Sequence, residues 1–394
     1  MDPTKKQLLV YTSQSFEKVS RFLGINLSSY IGRLYSLALV AFLIFLSHIA
    51  WQTICTAHCE NGFLIKVMLA ARYSLMILLL LIMVSTSVFR PKQFSFPRQE
   101  MFMVDSLLES YGARFTDRDI FFAKHLQDIA VAIIILLDVA ENIFNIIADY
   151  SFQMICTCFF NWYTRTYVTM IDGLFSHHMN DIYLRFRELN KITIQHSREN
   201  LSVSYIDFTA SSNLFNKRSN AVVTKIRSIQ HIHHGLYILA TKINTNFGLP
   251  LLIMSVISLT STIFLLYDIR RHLQEDENNI KTLISHVHLI FFHTLRFLYI
   301  SYICQRSRNE FKQMAIILHD AFLEYKSLRA EVIHFSLQLV HDNLTFTALG
   351  LYVIDIPLIC SIAGATITYL IMVIQLDTKL SIELNEYDNV TTYT

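Results

Sequence analysis

Runs of about twenty mostly apolar residues recur along this chain, and such runs leave a polypeptide few ways to pair its backbone. In hydrocarbon every N–H and C=O must find a partner inside the protein, which a helix provides within itself. Five segments have the length and polarity of a spanning helix: Leu34 to Trp51, Ala70 to Val88 (with an earlier start at Phe63), Ile129 to Ile147, Leu249 to Tyr267 and Leu351 to Leu376. Two more carry charge. Phe152 to Phe175 contains Arg165 and Asp172, and Leu283 to Ile303 contains His286, His288, His293 and Arg296. Hydropathy alone leaves these two undecided.

The order of the basic residues decides better, because Lys and Arg collect on the cytoplasmic side of short membrane loops. The stretch up to Arg33 holds 5 of them, residues 89–128 hold 6, 176–248 hold 9 and 304–350 hold 5. The intervening connections hold none, none, 3 and, after Leu376, 1. Alternate segments therefore carry 25 against 4, with Lys66, Arg72, Arg165 and Arg296 inside or at the edge of spans. The asymmetry needs both charged segments to cross. The expectation is an all-α polytopic membrane protein of seven transmembrane helices, N-terminus in the cytoplasm and C-terminus outside.

The inner segments repeat apolar residues at helical spacing, as at Phe102, Leu107 and Tyr111, at Ile182, Leu184 and Phe186, and at Phe311, Ile316 and Phe322. This predicts cytoplasmic helical extensions of the spans. The chain reads as one domain over 1–394, with six spans and the cytoplasmic helices in 1–345. The polar stretch Met1 to Asn26 has no apolar core ahead of a cleavage site, so the first span is expected to act as its own insertion signal.

Composition closes off other classes. Lys plus Arg is 33 and Asp plus Glu 31, without the basic excess of a nucleic-acid binder. Hydrophobic residues make up 53% and charged residues 16%, which is incompatible with disorder. Six Cys are too few for a disulfide scaffold. Cys55 and Cys59 in the first outer loop, with Cys156 and Cys158 in span four, leave a disulfide open without fixing a pairing. No phosphate-cradling Gly-rich loop, His-Glu-x-x-His site or Gly-x-Ser-x-Gly turn is present, so neither an enzyme nor a cofactor is expected. His177, His178, His231, His233 and His234 lack companion ligand spacing and read as solvated or structural, with no metal implied. The triplet Asn389-Val390-Thr391 is a glycosylation sequon on the expected outer tail; those at Asn26, Asn200 and Asn343 fall inside and should be silent.

The last apolar run is too long for one crossing. Phe346 to Leu376 would measure about 46 Å as a helix against a core of about 30 Å, and Pro357 interrupts it. A broken seventh helix over 346–376 is expected, with its spanning half from about 358. In that half, Thr368-Tyr369, five apolar residues and Gln375-Leu376 resemble the C-terminal signature of insect gustatory receptors. Phe346-Thr347-Ala348-Leu349-Gly350-Leu351, Asp355 and Ser361 to Ala365 are similar to the stretch before it. So are His234, Leu236, Ile243-Asn244 and Phe247-Gly248-Leu249-Pro250-Leu251-Leu252 at the entry to span five. Leu376 and Leu351 stand where that family usually has Phe, which blurs gustatory against related odorant receptors. Leu370 stands where its sugar receptors typically have Glu, which argues against sugars.

The resemblance implies a ligand-gated cation channel in the plasma membrane of gustatory neurons. It further implies a homo- or hetero-tetramer in the lipid bilayer, with a small-molecule tastant as the partner of each subunit. By position, Met372, Gln375 and Leu376 would face the pore. The helical period independently puts Thr368, Met372, Gln375 and Leu376 on one face. Packing of Gln375 against another helix is the competing reading of the residues alone. A G-protein-coupled receptor, with its N-terminus outside, is the rival class. An accessory subunit that needs a co-receptor is not separated from an autonomous channel.

For the ligand site, Asp138, Glu141 and Asn145 form a polar stripe on span three, and intramembrane acids are functional candidates. Asn161, Trp162 and Tyr163 in span four and His286 in span six lie at comparable depth. Aromatic and carboxylate groups together would suit small polar or cationic ligands. The alternative is a structural carboxylate paired within the bundle, for instance with Lys66 or Arg72. The tail acids Asp377, Glu383, Glu386 and Asp388 could draw cations to an outer vestibule or be merely solvated.

Overall fold

The computed structural model describes residues 18–24, 29–57, 63–89, 94, 97–113, 117–148, 150–204, 212–274, 280–322 and 328–391. Its helices are α1 (Tyr30–Ala57), α2 (Phe63–Phe89), α3 (Arg98–Ser110), α4 (Asp117–Ala148), α5 (Phe152–Ser204), α6 (Ser212–Gln274), α7 (Ile280–Phe322), α8 (Arg329–His341) and α9 (Ile356–Thr391). Between α8 and α9 lies a hairpin of β1 (Thr347–Ala348) and β2 (Tyr352–Val353). With so few Gly and Pro to break them, apolar helices run on: α5 has 53 residues, α6 63 and α7 43. At 1.5 Å per residue α6 is about 95 Å long, roughly three times a bilayer core. The spanning helices therefore continue into a second helical layer, as the apolar spacing of the inner segments predicts.

Six helices are long and apolar enough to cross a membrane: α1, α2, α4, α6, α7 and α9. The seventh expected crossing, Phe152 to Phe175, forms the first half of α5. Its low hydropathy has a structural cause. From Phe160 to Phe186 nearly every residue of α5 is buried, because it packs against α1, α4, α6 and α7 at once. A helix enclosed by protein does not need a lipid-compatible surface, and its charges can be paired by its neighbours.

One end of the bundle has connections of only 5, 3 and 5 residues, between α1 and α2, α4 and α5, and α6 and α7. The other end is the extended layer, where charge pairs join the elements. Arg185 of α5 grips Asp105 of α3 in a fork, Nε to Oδ1 at 2.7 Å and Nη2 to Oδ2 at 2.7 Å. Burial works against the Arg185 charge, but Asp105 and Asp181 outweigh it and hold the guanidinium ionised. Arg227 of α6 meets Glu331 of α8 at 2.6 Å, and Lys242 meets Glu100 of α3 at 2.6 Å. At the core of this layer His233 is ringed by Phe186, Phe311 and Phe335, with centroids 5.2, 4.7 and 5.8 Å away.

The stretch before Pro357 departs from the expected broken helix. The chain leaves α8 at His341 and turns back on itself at Leu349 and Gly350, with φ of 53° and 78°, closed by Leu351 N–H donating to Ala348 O at 3.0 Å. Two consecutive positive φ angles make a primed hairpin turn, which a helix cannot contain and which Gly350 makes accessible. Asn244 of α6 accepts from Thr347 N–H at 3.0 Å and donates to its Oγ1 at 3.4 Å. A methyl group on Gly248 would lie 3.0 Å from the Leu349 nitrogen. The two sequence segments singled out by their resemblance are thus in contact, one clamping the other. Only the half from Ile356 onward is helical.

Candidate functional site

Inside the spanning bundle, near the end with the short connections, polar side chains from four helices converge. The centre is Arg165 of α5. Its Nη1 donates to Asp138 Oδ1 at 3.2 Å and to Glu141 Oε2 at 2.9 Å, both on α4. Asp138 and Glu141 are one helical turn apart, so a single guanidinium reaches both. Ser285 Oγ of α7 donates to Glu141 Oε1, and His288 Nδ1 lies 3.1 Å from Glu141 Oε2. The buried acids are therefore paired within the bundle, and their partner is Arg165. Arg72 of α2 lies within electrostatic reach of Glu141 and Arg165 without bonding to either.

Ligand atoms of Asp138, Glu141 and His288 lie within 4.8 Å of one another, a geometry that could hold a metal ion. Arg165 Nη1, however, already bridges the two carboxylates, so a guanidinium fills the cation's role.

Two further polar layers flank this one. Toward the short connections, His286 Nε2 lies 3.3 Å from Asp268 Oδ2 of α6. His272 Nε2 lies 3.7 Å from the same oxygen, and the two imidazoles stack. Toward the extended layer, Arg296 of α7 pairs with Asp172 of α5 through Nε and donates from Nη1 to Ser258 Oγ of α6 at 2.8 Å; His293 Nδ1 is 3.1 Å from that hydroxyl. Arg165 and Asp172 are seven residues apart, about 10 Å along α5, so the layers stack along one interior seam.

The residues expected at a ligand site separate. Asp138, Glu141 and His286 join the seam. Asn145 lies one turn beyond Glu141, partly buried. Trp162 sits one turn from Arg165, packed against Phe159, with its indole N–H buried and without an acceptor among the described residues. Tyr163 faces elsewhere: its hydroxyl donates to the Leu23 carbonyl at 2.7 Å. Arg165, Asp268, His272, Ser285 and His288 were not among the residues expected at the site. Arg165 and His288 were visible as polar residues of the two charged spans, whereas Asp268 and His272 lie just past span five.

The second candidate surface is α9. Over Ile356–Lys379 only 6% of the apolar window is buried, against 17% to 56% for the other five spans. Its inner side carries Leu370, Val373 and Ile374 against the core. Thr368, Met372, Gln375 and Leu376 are exposed on the opposite side. Thr368 Oγ1 is satisfied by donating to Gly364 O at 2.9 Å. Gln375 has no hydrogen bond among the described residues. Asn389 is near the end of α9, where the side chains, like those of Glu383, Glu386 and Asp388, lie outside the described residues. Cys156 and Cys158 are free and buried; the side chains of Cys55 and Cys59 are outside the described residues.

A seven-helix bundle with one helix barely packed, a polar seam inside and an extended helical layer defines a multi-pass membrane receptor. The model of the 7tm chemosensory receptor family matches residues 19–380, and the chain belongs to that family. It is 22% identical over 178 residues to a Drosophila melanogaster protein assigned as gustatory receptor 2a, a match covering 39% of this chain and 42% of that protein. The chain thus spans less than half the length of that relative in the match. Its fold is that of the insect olfactory receptor OR5 from Machilis hrabei. The eugenol-bound structure matches with a TM-score of 0.62 at 11% identity over 93% of this chain and 99% of that one. The structure without eugenol gives 0.62 at 10% identity with the same coverage.

Proposed function

We propose that the chain is a gustatory chemoreceptor subunit that acts as a ligand-gated, non-selective cation channel for non-sugar tastants such as bitter compounds or pheromones. It assembles as a homo- or hetero-tetramer in the plasma membrane with α9 lining a shared pore. The observation that carries this reading is Gln375. Its amide is exposed and unpaired on a helix that the bundle hardly covers, and an amide facing hydrocarbon is costly. Neighbouring copies of α9 around a water-filled axis relieve that cost. Met372 and Leu376, on the same face, would then close the axis by dewetting, and opening would bring Gln375 to hydrated ions.

The order of the basic residues supports a cytoplasmic position for the extended layer. The end of the bundle that holds the seam of α4, α5, α6 and α7 then faces outside, where a ligand would arrive. The related olfactory receptor was solved with eugenol, which makes small organic molecules the ligand class to test here. The asparagine clamp on the hairpin links α6 to the base of α9, which offers a mechanical route from pocket to gate.

The test is expression in an otherwise silent cell with whole-cell recording across a panel of bitter compounds and volatile phenols. A ligand-evoked, cation-carried current without added G protein is expected, with relative permeability altered by Gln375→Lys. Current that needs a G protein, or permeability indifferent to residue 375, would overturn the pore assignment.

A further inference from the structure

α9 packs chiefly against α6 and α7, and its apolar window is only 6% buried. With so little packing along its length, its direction is set where it begins. Among the described residues two moorings hold that base. One is the hairpin, clamped to α6 by Asn244 and closed by Ile354 N–H donating to Phe346 O at 2.8 Å. The other is Asp355, the residue just before α9, which serves two helices at once. Its Oδ1 accepts from Leu358 N–H at 3.2 Å, an N-cap bond that satisfies an open donor of the first turn. Its Oδ2 lies 3.7 Å from Arg308 Nη1 of α7.

The two moorings differ in what they can transmit. On α6, Pro250 lies between the seam residues Ser258 and Asp268 and the clamp at Asn244. Proline interrupts the helical ladder and permits a bend. α7 has neither Gly nor Pro over Ile280–Phe322. It places Ser285 and His288 on Glu141 and Arg296 on Asp172. Arg308 follows His288 by 20 residues on the same helix, about 30 Å of unbroken rod. A shift of α7 at the seam therefore reaches Arg308. There the pair, at 3.7 Å, is longer than a hydrogen bond, and Arg308 Nε is buried without an acceptor among the described residues. The guanidinium is held near the carboxylate without being locked to it. A displacement of about 1 Å either closes a hydrogen bond or parts the charges.

We propose that Arg308 and Asp355 form a latch between the seam and α9, positioning residues through which a displacement of α7 resets the start of that helix. The coupling of α7 to α9 rests on these contacts alone; its effect on current rests on the pore reading under Proposed function.

The test breaks the latch without breaking the cap. Asp355→Asn removes the charge and keeps the cap, since Asn caps as well as Asp. Arg308→Met removes the opposite charge. The reporter is Cys360, an exposed thiol five residues beyond Asp355. Its rate of modification by N-ethylmaleimide in the full-length receptor is read by peptide mass spectrometry, which separates it from the other thiols. The seam is perturbed by Glu141→Gln, which weakens the contacts to Arg165, Ser285 and His288. With the latch intact, Glu141→Gln should change the Cys360 rate by about two- to fivefold, the range of a partly exposed ion pair. With Asp355→Asn or Arg308→Met also present, the same seam change should leave the rate unaltered. Arg308→Lys should keep part of the coupling. A role confined to folding would lower the thermal midpoint and leave the dependence on Glu141 in place.

A Cys360 rate indifferent to Glu141→Gln, or one that responds equally with the latch intact and broken, would overturn the proposal. Where Arg308→Met does not reach the surface, Asp355→Asn decides. Spontaneous whole-cell current is recorded in the same variants. Latch-dependent Cys360 modification without any current would leave the proposal standing and count against the channel reading. A cation current with no latch dependence of the Cys360 rate would do the reverse.

Discussion

Replacing Arg165 by Met tests whether the polar seam holds the bundle together. The apolar side chain keeps much of the volume but removes the group that bridges Asp138 and Glu141. Glu141 keeps Ser285 and His288. Asp138, only 1% exposed, loses its ion-pair partner. Removing one partner of a buried pair typically costs about 3–5 kcal/mol, chiefly because the other charge is stranded. With an unfolding entropy of about 2.1 cal/mol/K per residue over the 394 residues, that corresponds to a fall of about 4–6 °C in melting midpoint. The assay is the loss of the monodisperse peak in fluorescence-detected size exclusion after graded heating of detergent-solubilised receptor. Adding Asp138→Asn to Arg165→Met should recover most of the loss, since the stranded charge is then gone. A midpoint unchanged in the single variant, or no recovery in the double variant, would refute the electrostatic account.

Gly248→Ala should destabilise by about 1–3 kcal/mol, because the new methyl meets the Leu349 backbone at 3.0 Å and backbone cannot yield like a side chain. Gly235→Ala, whose nearest neighbour is 3.9 Å away, should be neutral or gain up to about 1 kcal/mol of helix propensity; both are read in the same thermal assay. Burial among aromatic rings pushes the His233 imidazole down to about 4. The folded state then binds fewer protons than the unfolded one between about pH 6.5 and 4, so the stability His233 contributes is full above 6.5 and is lost as pH falls through 4. The loss is of order 3 kcal/mol; a midpoint–pH profile no flatter in His233→Phe would contradict it. In a Cys360→Ser background, Met372→Cys should react with a charged thiol reagent applied during activation and block the current. Leu370→Cys, on the packed side of α9, should not.

Much of the architecture was legible because periodicity and charge order are one-dimensional properties. Spans need apolar length, and the basic residues alternate between long and short connections, so both can be read along the chain. Phe152 to Phe175 shows why hydropathy and charge order disagree. Hydropathy asks whether a helix suits lipid, while α5 lies within protein; topology asks only whether the chain crosses. The hairpin before Pro357 was not legible as such. Phe346 to Leu351 has helical apolar content, and what breaks the helix is the pairing of Thr347 with Asn244, 103 residues earlier in the chain. Gly350 was the available clue, since two residues there take positive φ.

The site was legible as charge but not as contact. Glu141 lies 6 residues before Ile147 and Arg165 lies 13 after Phe152, so counting from the span ends does not pair them. Which cation turns toward which acid depends on the angle at which each helix presents its face, and no spacing within one helix contains that angle. The sequence offered Lys66 or Arg72 as the partner of the acids, whereas the fold gives both acids to Arg165, from the neighbouring helix α5.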